Sequence, residues 1–293
     1  MPTQNQSTDF SPSPTSASMP PNSASQIQSN SSGTPTEEIS PRAVSERRWK
    51  RPRFNADNLV PQPMCVAWID IMGTKNAMLH SLRTAANFVA KLHGDIVESR
   101  NNLKACGSLR ILPMMDGAYV VGPNIAIVQR LIRRVLRQCA ERFLKESDPI
   151  KKCMLRATLS WGNVIHGDDL HHSLPTPNED RRELFQNVMV GMPFVWCNET
   201  EKNAPPFGLY VHVSVREHTQ TTKCPMGWSL DRWWPSEGTS HEKLMAASLA
   251  QAIRQHLAWL DKNPTESSID SEHIKKYNKL VDEYFGSSVS SDI

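Results

Sequence analysis

A carboxylate stands inside an apolar strand. Residues 64–71 read MCVAWIDI, a short run rich in β-forming side chains, and Asp70 lies within it between Ile69 and Ile71. Such a run predicts a buried strand. A lone carboxylate there is costly to desolvate, so it has to be paired, protonated or bound to a cation. Whatever this chain folds into must supply that partner.

The rest of the chain suggests the frame. Gly73 and Thr74 end the strand. Met78, Leu82, Ala85, Val89, Leu92 and Ile96 share one face at helical spacing, which predicts a helix over 76–100. Two strand-like runs, 109–115 and 118–121, flank Asp116-Gly117, and Asp-Gly between apolar runs signals a hairpin. Asn124 opens a second helix. Val128, Leu131, Ile132, Val135, Cys139 and Phe143 make its apolar stripe, and Arg130, Arg133, Arg134 and Arg137 crowd its other side. Residues 154–161 predict a strand, 166–180 a polar loop, 184–202 a third helix and 209–215 an alternating strand. Two terminal helices follow, over 240–261 and 271–285. This order gives an α+β fold: a ferredoxin-like β-α-β-β-α-β core with extra C-terminal helices. Its sheet is split and mostly antiparallel, with helices on one face.

Bulk properties narrow the class. The 293 residues suffice for one large domain or two small ones. Residues 1–45 are rich in Ser, Pro, Thr, Gln and Asn without apolar periodicity, which predicts a disordered tail. Arg47, Arg48, Lys50, Arg51 and Arg53 surround Trp49 just after it. With a net charge of only +3, that cluster reads as a solvated linker rather than a nucleic-acid patch. Residues 1–55 are thus expected to be tail and basic linker. The six cysteines form no C-x-x-C pair and no zinc spacing, which suits reduced thiols. No secretory signal and no apolar run of membrane-span length is seen. A cytoplasmic protein is expected, without membrane or nucleic-acid partners.

The chemistry concentrates around Asp70. Asp116 sits at the tip of a hairpin that should lie beside the 64–71 strand. Two carboxylates at adjacent strand ends make a site for hard divalent ions. Two such ions activate a hydroxyl and neutralise a triphosphate. Against this, Asp116 alone is a residue that tight turns favour, and Asp70 could pair with a buried Arg. Residues 71–76 run from strand to helix, where free N–H groups favour phosphate. Thr74 or Asn76 could cap that helix, and Lys75 either reaches a phosphate or stands in solvent. Arg156 lies in the apolar run 154–159 and needs an anion: a triphosphate, slightly favoured, or Asp70. His166, Asp168, Asp169, His171 and His172 have no helix to fix their spacing and read as a loop rather than a metal site. Trp228, Trp233 and Trp234 read as core or interface more readily than as a base-stacking platform.

Over roughly residues 64–215 these features resemble the class III nucleotidyl cyclase family. Family members open with F-x-D-I-x-G, and this chain has Trp68-Ile69-Asp70-Ile71-Met72-Gly73. They carry a second Asp at the hairpin, here in Met115-Asp116. Their later strand reads L-R-x-G-I-x-x-G, matched by Leu155-Arg156-Ala157-Thr158-Leu159-Ser160-Trp161-Gly162. The resemblance implies that Asp70, the Ile71 carbonyl and Asp116 bind two Mg or Mn ions, and that Arg156 contacts the triphosphate. Asp70 and Asp116 are then the catalytic carboxylates.

Other positions depart from the purine cyclases. Val195 replaces the Asn that orients the ribose, Glu199 the Arg that stabilises the transition state, and Leu112 the base-reading Lys of adenylate cyclases. The pattern looks closer to the pyrimidine cyclases of Pycsar anti-phage systems, whose helix reads G-x-A-x-x-x-A-x-x-x-E. Gly191, Pro193, Cys197 and Glu201 follow that rhythm. This implies a cyclase domain over 60–290 and a homodimer with sites at its interface. UTP, or else CTP, would be cyclised as a second messenger in defence. Two alternatives stand beside it: a cyclase-like module that binds a nucleotide or partner without turnover, and another metal-dependent nucleotidyltransferase.

Overall fold

Strand β1 (Gln62–Met72) is the axis of the sheet. Its run of apolar side chains is buried from Met64 to its end, as a strand covered on both faces requires. In the computed structural model, residues 57, 59–103, 108–174, 179–219, 229–233, 240–265 and 269–286 are described. The expected tail and linker over 1–55, and Trp228 and Trp234, lie outside them.

β1 pairs antiparallel with β3 (Gly117–Gly122) on one side and with β4 (Met154–His166) on the other. β2 (Arg110–Met114) adds to β3. β6 (Leu209–Val211) runs parallel to β4, and β7 (Ser229–Asp231) pairs with β6. The order is β2-β3-β1-β4-β6-β7, with the short β5 (Met189–Val190) on the far end of β4. The β-α-β-β-α-β order is present, α+β in class, with helices added at the C-terminal end.

Alternation along β1 sorts its side chains between two cores. Cys65, Ala67, Ile69 and Ile71 pack with α2 (Leu82–Asn101), α3 (Ile125–Lys145), α8 (Ser240–Lys262) and α9 (Ser271–Phe285). Met64, Val66 and Trp68 face the other way. They meet Leu112, Val121 and α6 (Met192–Thr200), which contributes Phe194 and Cys197. Helices therefore cover both faces of the sheet, not one. The β4 hydroxyls of Thr158 and Ser160 draw α6 down: they donate to the carbonyls of Cys197 at 3.1 Å and Pro193 at 2.7 Å.

Local chemistry explains where the elements differ from their expected bounds. The helix over 76–100 is two, α1 (Thr74–His80) and α2. Ser81 between them is extended, and its hydroxyl oxygen accepts the Thr84 N–H at 3.2 Å, capping α2. The break leaves Met78 and Leu82 exposed while Ala85, Leu92 and Ile96 stay buried. In α3, Asn124 caps as expected and the whole predicted stripe is buried. The polar loop over 166–180 holds α4 (Gly167–His172) and the start of α5 (Glu179–Phe185). The third helix shrinks to α6, with Pro193 in its first turn. The strand over 209–215 stops at Val211. His212 Nδ1 accepts the Ser214 N–H at 3.2 Å there, and α7 (Val213–Thr219) begins.

The hairpin turn also moves. Met115 and Asp116 form it, Met115 with φ 46°, and Gly117 is already the first residue of β3. A Cβ on Gly117 would stand 2.4 Å from Trp68 Cη2 and 2.5 Å from the Ile69 carbonyl oxygen. Glycine is needed here for the indole to lie across β3. The four described cysteines, Cys65, Cys139, Cys153 and Cys197, are free thiols. No helix among the described residues is long and apolar enough to cross a membrane.

Gly117→Ala is expected to cost about 2–3 kcal/mol, because the added carbon meets backbone as well as the ring. It should lower the urea midpoint without changing the slope. An unchanged midpoint would mean that Trp68 and the Ile69 peptide yield freely.

Candidate functional site

The three central strands meet at Asp70. β1 sets it opposite Gly117 of β3 and opposite Arg156 of β4. Two residues earlier Trp68 shares its face, and Arg156 and Thr158 share it across the ladder. Arg156 donates to Asp70 Oδ2 from Nε at 3.0 Å and from Nη2 at 2.9 Å. The same Nη2 bonds Glu201 Oε1. Trp68 Nε1 donates to Glu201 Oε2 at 3.0 Å. Glu201 begins the short 3-10 turn Glu201–Asn203 directly after α6. The bonds from Thr158 and Ser160, with Cys197 Sγ donating to the Val66 carbonyl at 3.2 Å, fix the helix that delivers it.

The cluster is largely buried and holds more carboxyl groups than guanidinium groups. The side chains of Asp70, Arg156 and Glu201 are 11%, 15% and 17% exposed, and two carboxylates face one guanidinium. Burial pushes Asp70 up to about 7; Arg156 opposes the rise, and Glu201 adds to it through its charge and a hydrogen bond. Burial pulls Arg156 down, but Asp70 and Glu201 outweigh it and hold the guanidinium above its ordinary value. Tyr277 of α9 closes the cluster. Burial raises its phenol against the nearby Arg156.

The expected site residues fall out as follows. Asp116 is half-buried in the hairpin turn, one residue before the strand partner of Asp70, so the register brings the two Asp positions together. Arg156 takes Asp70 and Glu201 as its partners, rather than standing open for a phosphate. The Ile71 carbonyl accepts the Thr74 hydroxyl at 2.9 Å. Thr74 therefore does not cap α1; Gly73, at φ 82°, opens the helix without a side-chain cap. Lys75 is exposed in the first turn of α1.

Side chains on the hairpin strands are engaged with their neighbours. Arg110 donates to Asp168 at 2.9 Å. The Tyr119 ring sits between Trp68, at 4.5 Å, and Phe194, at 5.1 Å. Leu112 is buried, and Val195 and Glu199 are exposed on α6. Trp233 fills the core and donates to the Phe207 carbonyl at 2.9 Å.

Glu201 was visible in the sequence only as one position in a helical rhythm, not as the partner of Arg156. An acid just after a helix looks like any solvated acid until the fold closes over it.

Among the described residues, no three His, Cys, Asp or Glu side chains converge as a ready-made metal site, the His166–His172 segment included. The donors at Asp70 still suit a hard cation. A buried carboxylate surplus is what Mg or Mn relieves, and carboxylate and carbonyl oxygens are the ligands such ions take. Asp70, Asp116 and the Ile71 carbonyl are the residues that could hold one, the remaining ligands coming from a bound anion.

No known family model matches this chain, and no curated protein matches it. Similar solved structures exist. One is the monomeric guanylyl cyclase domain of the RhoGC fusion protein from the aquatic fungus Blastocladiella emersonii, at 12% identity and TM-score 0.41, over 55% of this chain and 86% of that one. Another is an adenylate/guanylate cyclase/hydrolase from Silicibacter pomeroyi, at 11% and 0.38, over 56% and 82%. A third is a bacterial light-regulated adenylyl cyclase, at 11% and 0.45, over 67% and 60%. At these scores the likeness carries no argument about function, and the fold rests on the strand order itself.

Asp70 makes stability depend on pH. Its folded value of about 7 lies above the ordinary carboxylate value of about 4, so the folded state holds the proton more tightly. Stability should fall as pH rises through that window. Asp70→Asn carries no such charge. Its urea midpoint, relative to the parent, should therefore rise between about pH 5 and about pH 8. A constant difference would mean that Asp70 titrates as an ordinary carboxylate.

Proposed function

We propose that the chain is a metal-dependent nucleotidyl cyclase whose catalytic domain spans residues 60–290. The observation that supports this is the juxtaposition of Asp70, Asp116 and Arg156 where β1, β3 and β4 meet. Two Mg or Mn ions at Asp70, Asp116 and the Ile71 carbonyl would polarise the ribose 3′-hydroxyl and neutralise the triphosphate. Arg156 supplies a planar guanidinium suited to phosphate oxygens. Glu201 and Trp68 orient it from behind. Lys75, in the first turn of α1, stands ready for the outer phosphates. The 3′-oxygen forms a bond to the α-phosphorus, and the bond from that phosphorus to the β-bridging oxygen breaks. Pyrophosphate leaves, and the hydroxyl proton passes to solvent. Positioning and charge neutralisation carry such phosphoryl transfer.

The finer reading is a pyrimidine substrate, UTP ahead of CTP. Its 3′,5′-cyclic monophosphate would be a signal in anti-phage defence, made by a cytoplasmic homodimer with sites at its interface. The spacing of Gly191, Pro193, Cys197 and Glu201 supports it, as does the apolar Leu112 in place of a base-reading Lys. No membrane or nucleic-acid partner enters this reading.

Two observations favour a second reading, a cyclase-like module that binds nucleotide or a partner without turnover. Arg156 is engaged by two carboxylates. Val195 and Glu199 stand where purine cyclases place catalytic side chains.

Incubation with each ribonucleoside triphosphate and Mn, with products resolved by mass spectrometry, separates the two. The cyclase reading expects a cyclic monophosphate from UTP or CTP. Asp70→Ala and Asp116→Ala should each cut turnover by about 100-fold or more with an unchanged circular dichroism spectrum. Retained turnover in both variants would sink the assignment. Saturable nucleotide binding without product would establish the module instead.

A further inference from the structure

A cavity of about 70 Å³ opens between the α1–α2 junction, the start of β4 and the C-terminal part of α8. That is room for about five waters, or for a small organic molecule. Phe88, Met154, Trp259 and Leu260 give it apolar walls, while Lys152, His256 and His80 bring nitrogen. Among the described residues, no acidic side chain lines it.

His256 is the unusual member. It is 7% exposed, and its Nδ1 is buried without a hydrogen-bond partner. Buried polar atoms are ordinarily satisfied, and one that is not calls for an explanation. Burial, and then the nearby Lys152, push the imidazole down to about 4, so the ring is neutral near pH 7. His256 meets the Phe143 ring edge-on at 5.5 Å, and Lys152 Nζ stands 4.7 Å from the centre of the same ring. Trp259 lies parallel to His256 at 6.2 Å. A neutral imidazole and a cation thus flank one phenyl ring at the edge of an apolar space.

We propose that this cavity binds a small monocarboxylate with a short apolar tail. The carboxylate accepts the His256 Nδ1–H and pairs with Lys152. The tail lies against Phe88, Met154 and Trp259. One cation matches one negative charge, and the apolar walls disfavour a bare inorganic ion. Met72 and Gly73 also line it, but Asp70, Arg156 and Glu201 do not, and the proposal does not rest on the cyclase reading.

Butyrate is the probe, added to the full chain and followed by saturation-transfer NMR and by tryptophan emission, since Trp259 forms a wall. Binding is expected with a dissociation constant on the order of 1 mM, which a ligand of this size reaches within its efficiency ceiling. Butyramide, which lacks the charge, and inorganic phosphate, which lacks the tail, should each bind at least about tenfold more weakly. His256→Leu and Lys152→Met should each weaken butyrate about tenfold, with the fold verified by circular dichroism. Lys152→Met is a surface-side change and decides the matter if His256→Leu does not fold. No transfer to butyrate, equal binding of butyrate and butyramide, or undiminished binding in the folded variants overturns the proposal.

Discussion

The ladder between β1 and β4 pairs every residue of β1, and the candidate site depends on its register. Strand side chains alternate between faces, so a slip of one residue would turn Asp70 in among Ile69 and Ile71's neighbours on the apolar face and leave Arg156 without its acid. The polar pair and the apolar pattern specify the same register. Ion pairs buried this way contribute little net stability, but separating the partners is costly, which penalises other alignments. That register turns Thr158 and Ser160 toward α6, and the β1–β3 ladder on the other edge sets Gly117 opposite Asp70 with Asp116 at the adjacent turn.

Much of this frame is legible because its signals are local. The apolar run of β1 and the Asn124 cap and stripe of α3 need only periodicity and a single side-chain bond. The errors arise where a distant contact decides. The apolar spacing of 76–100 runs on through Ser81, yet Ser81 ends one helix and caps the next. Asp116-Gly117 satisfies the rule for a tight turn, yet the glycine serves the Trp68 ring and the turn is Met115-Asp116. The placement of α6 on the second face follows from strand hydroxyls that periodicity does not register.

The site divides in the same way. That Asp70 needs a partner follows from desolvation alone, and Arg156 is one of the two partners the sequence leaves open. Glu201 is hidden because nothing near it in the chain marks an acid as buried. Its role comes from the indole of Trp68 and the guanidinium of Arg156, which reach it only across the folded sheet. His256 is hidden too. Within an amphipathic helix it is one more residue on a face, and only the Phe143 ring and the Lys152 ammonium around it make it distinctive.

The strand order also sets a timetable for synthesis. Arg156 follows Asp70 by 86 residues, so β1 leaves the ribosome long before β4 exists. β3 arrives first and covers one side of β1; the other side waits. During that interval the nascent chain carries an open, strongly apolar strand edge, the feature most prone to pairing with another chain. A product of premature termination before β4 would keep that edge for its whole lifetime. The central position of β1, which buries the site in the finished protein, makes the unfinished one hazardous.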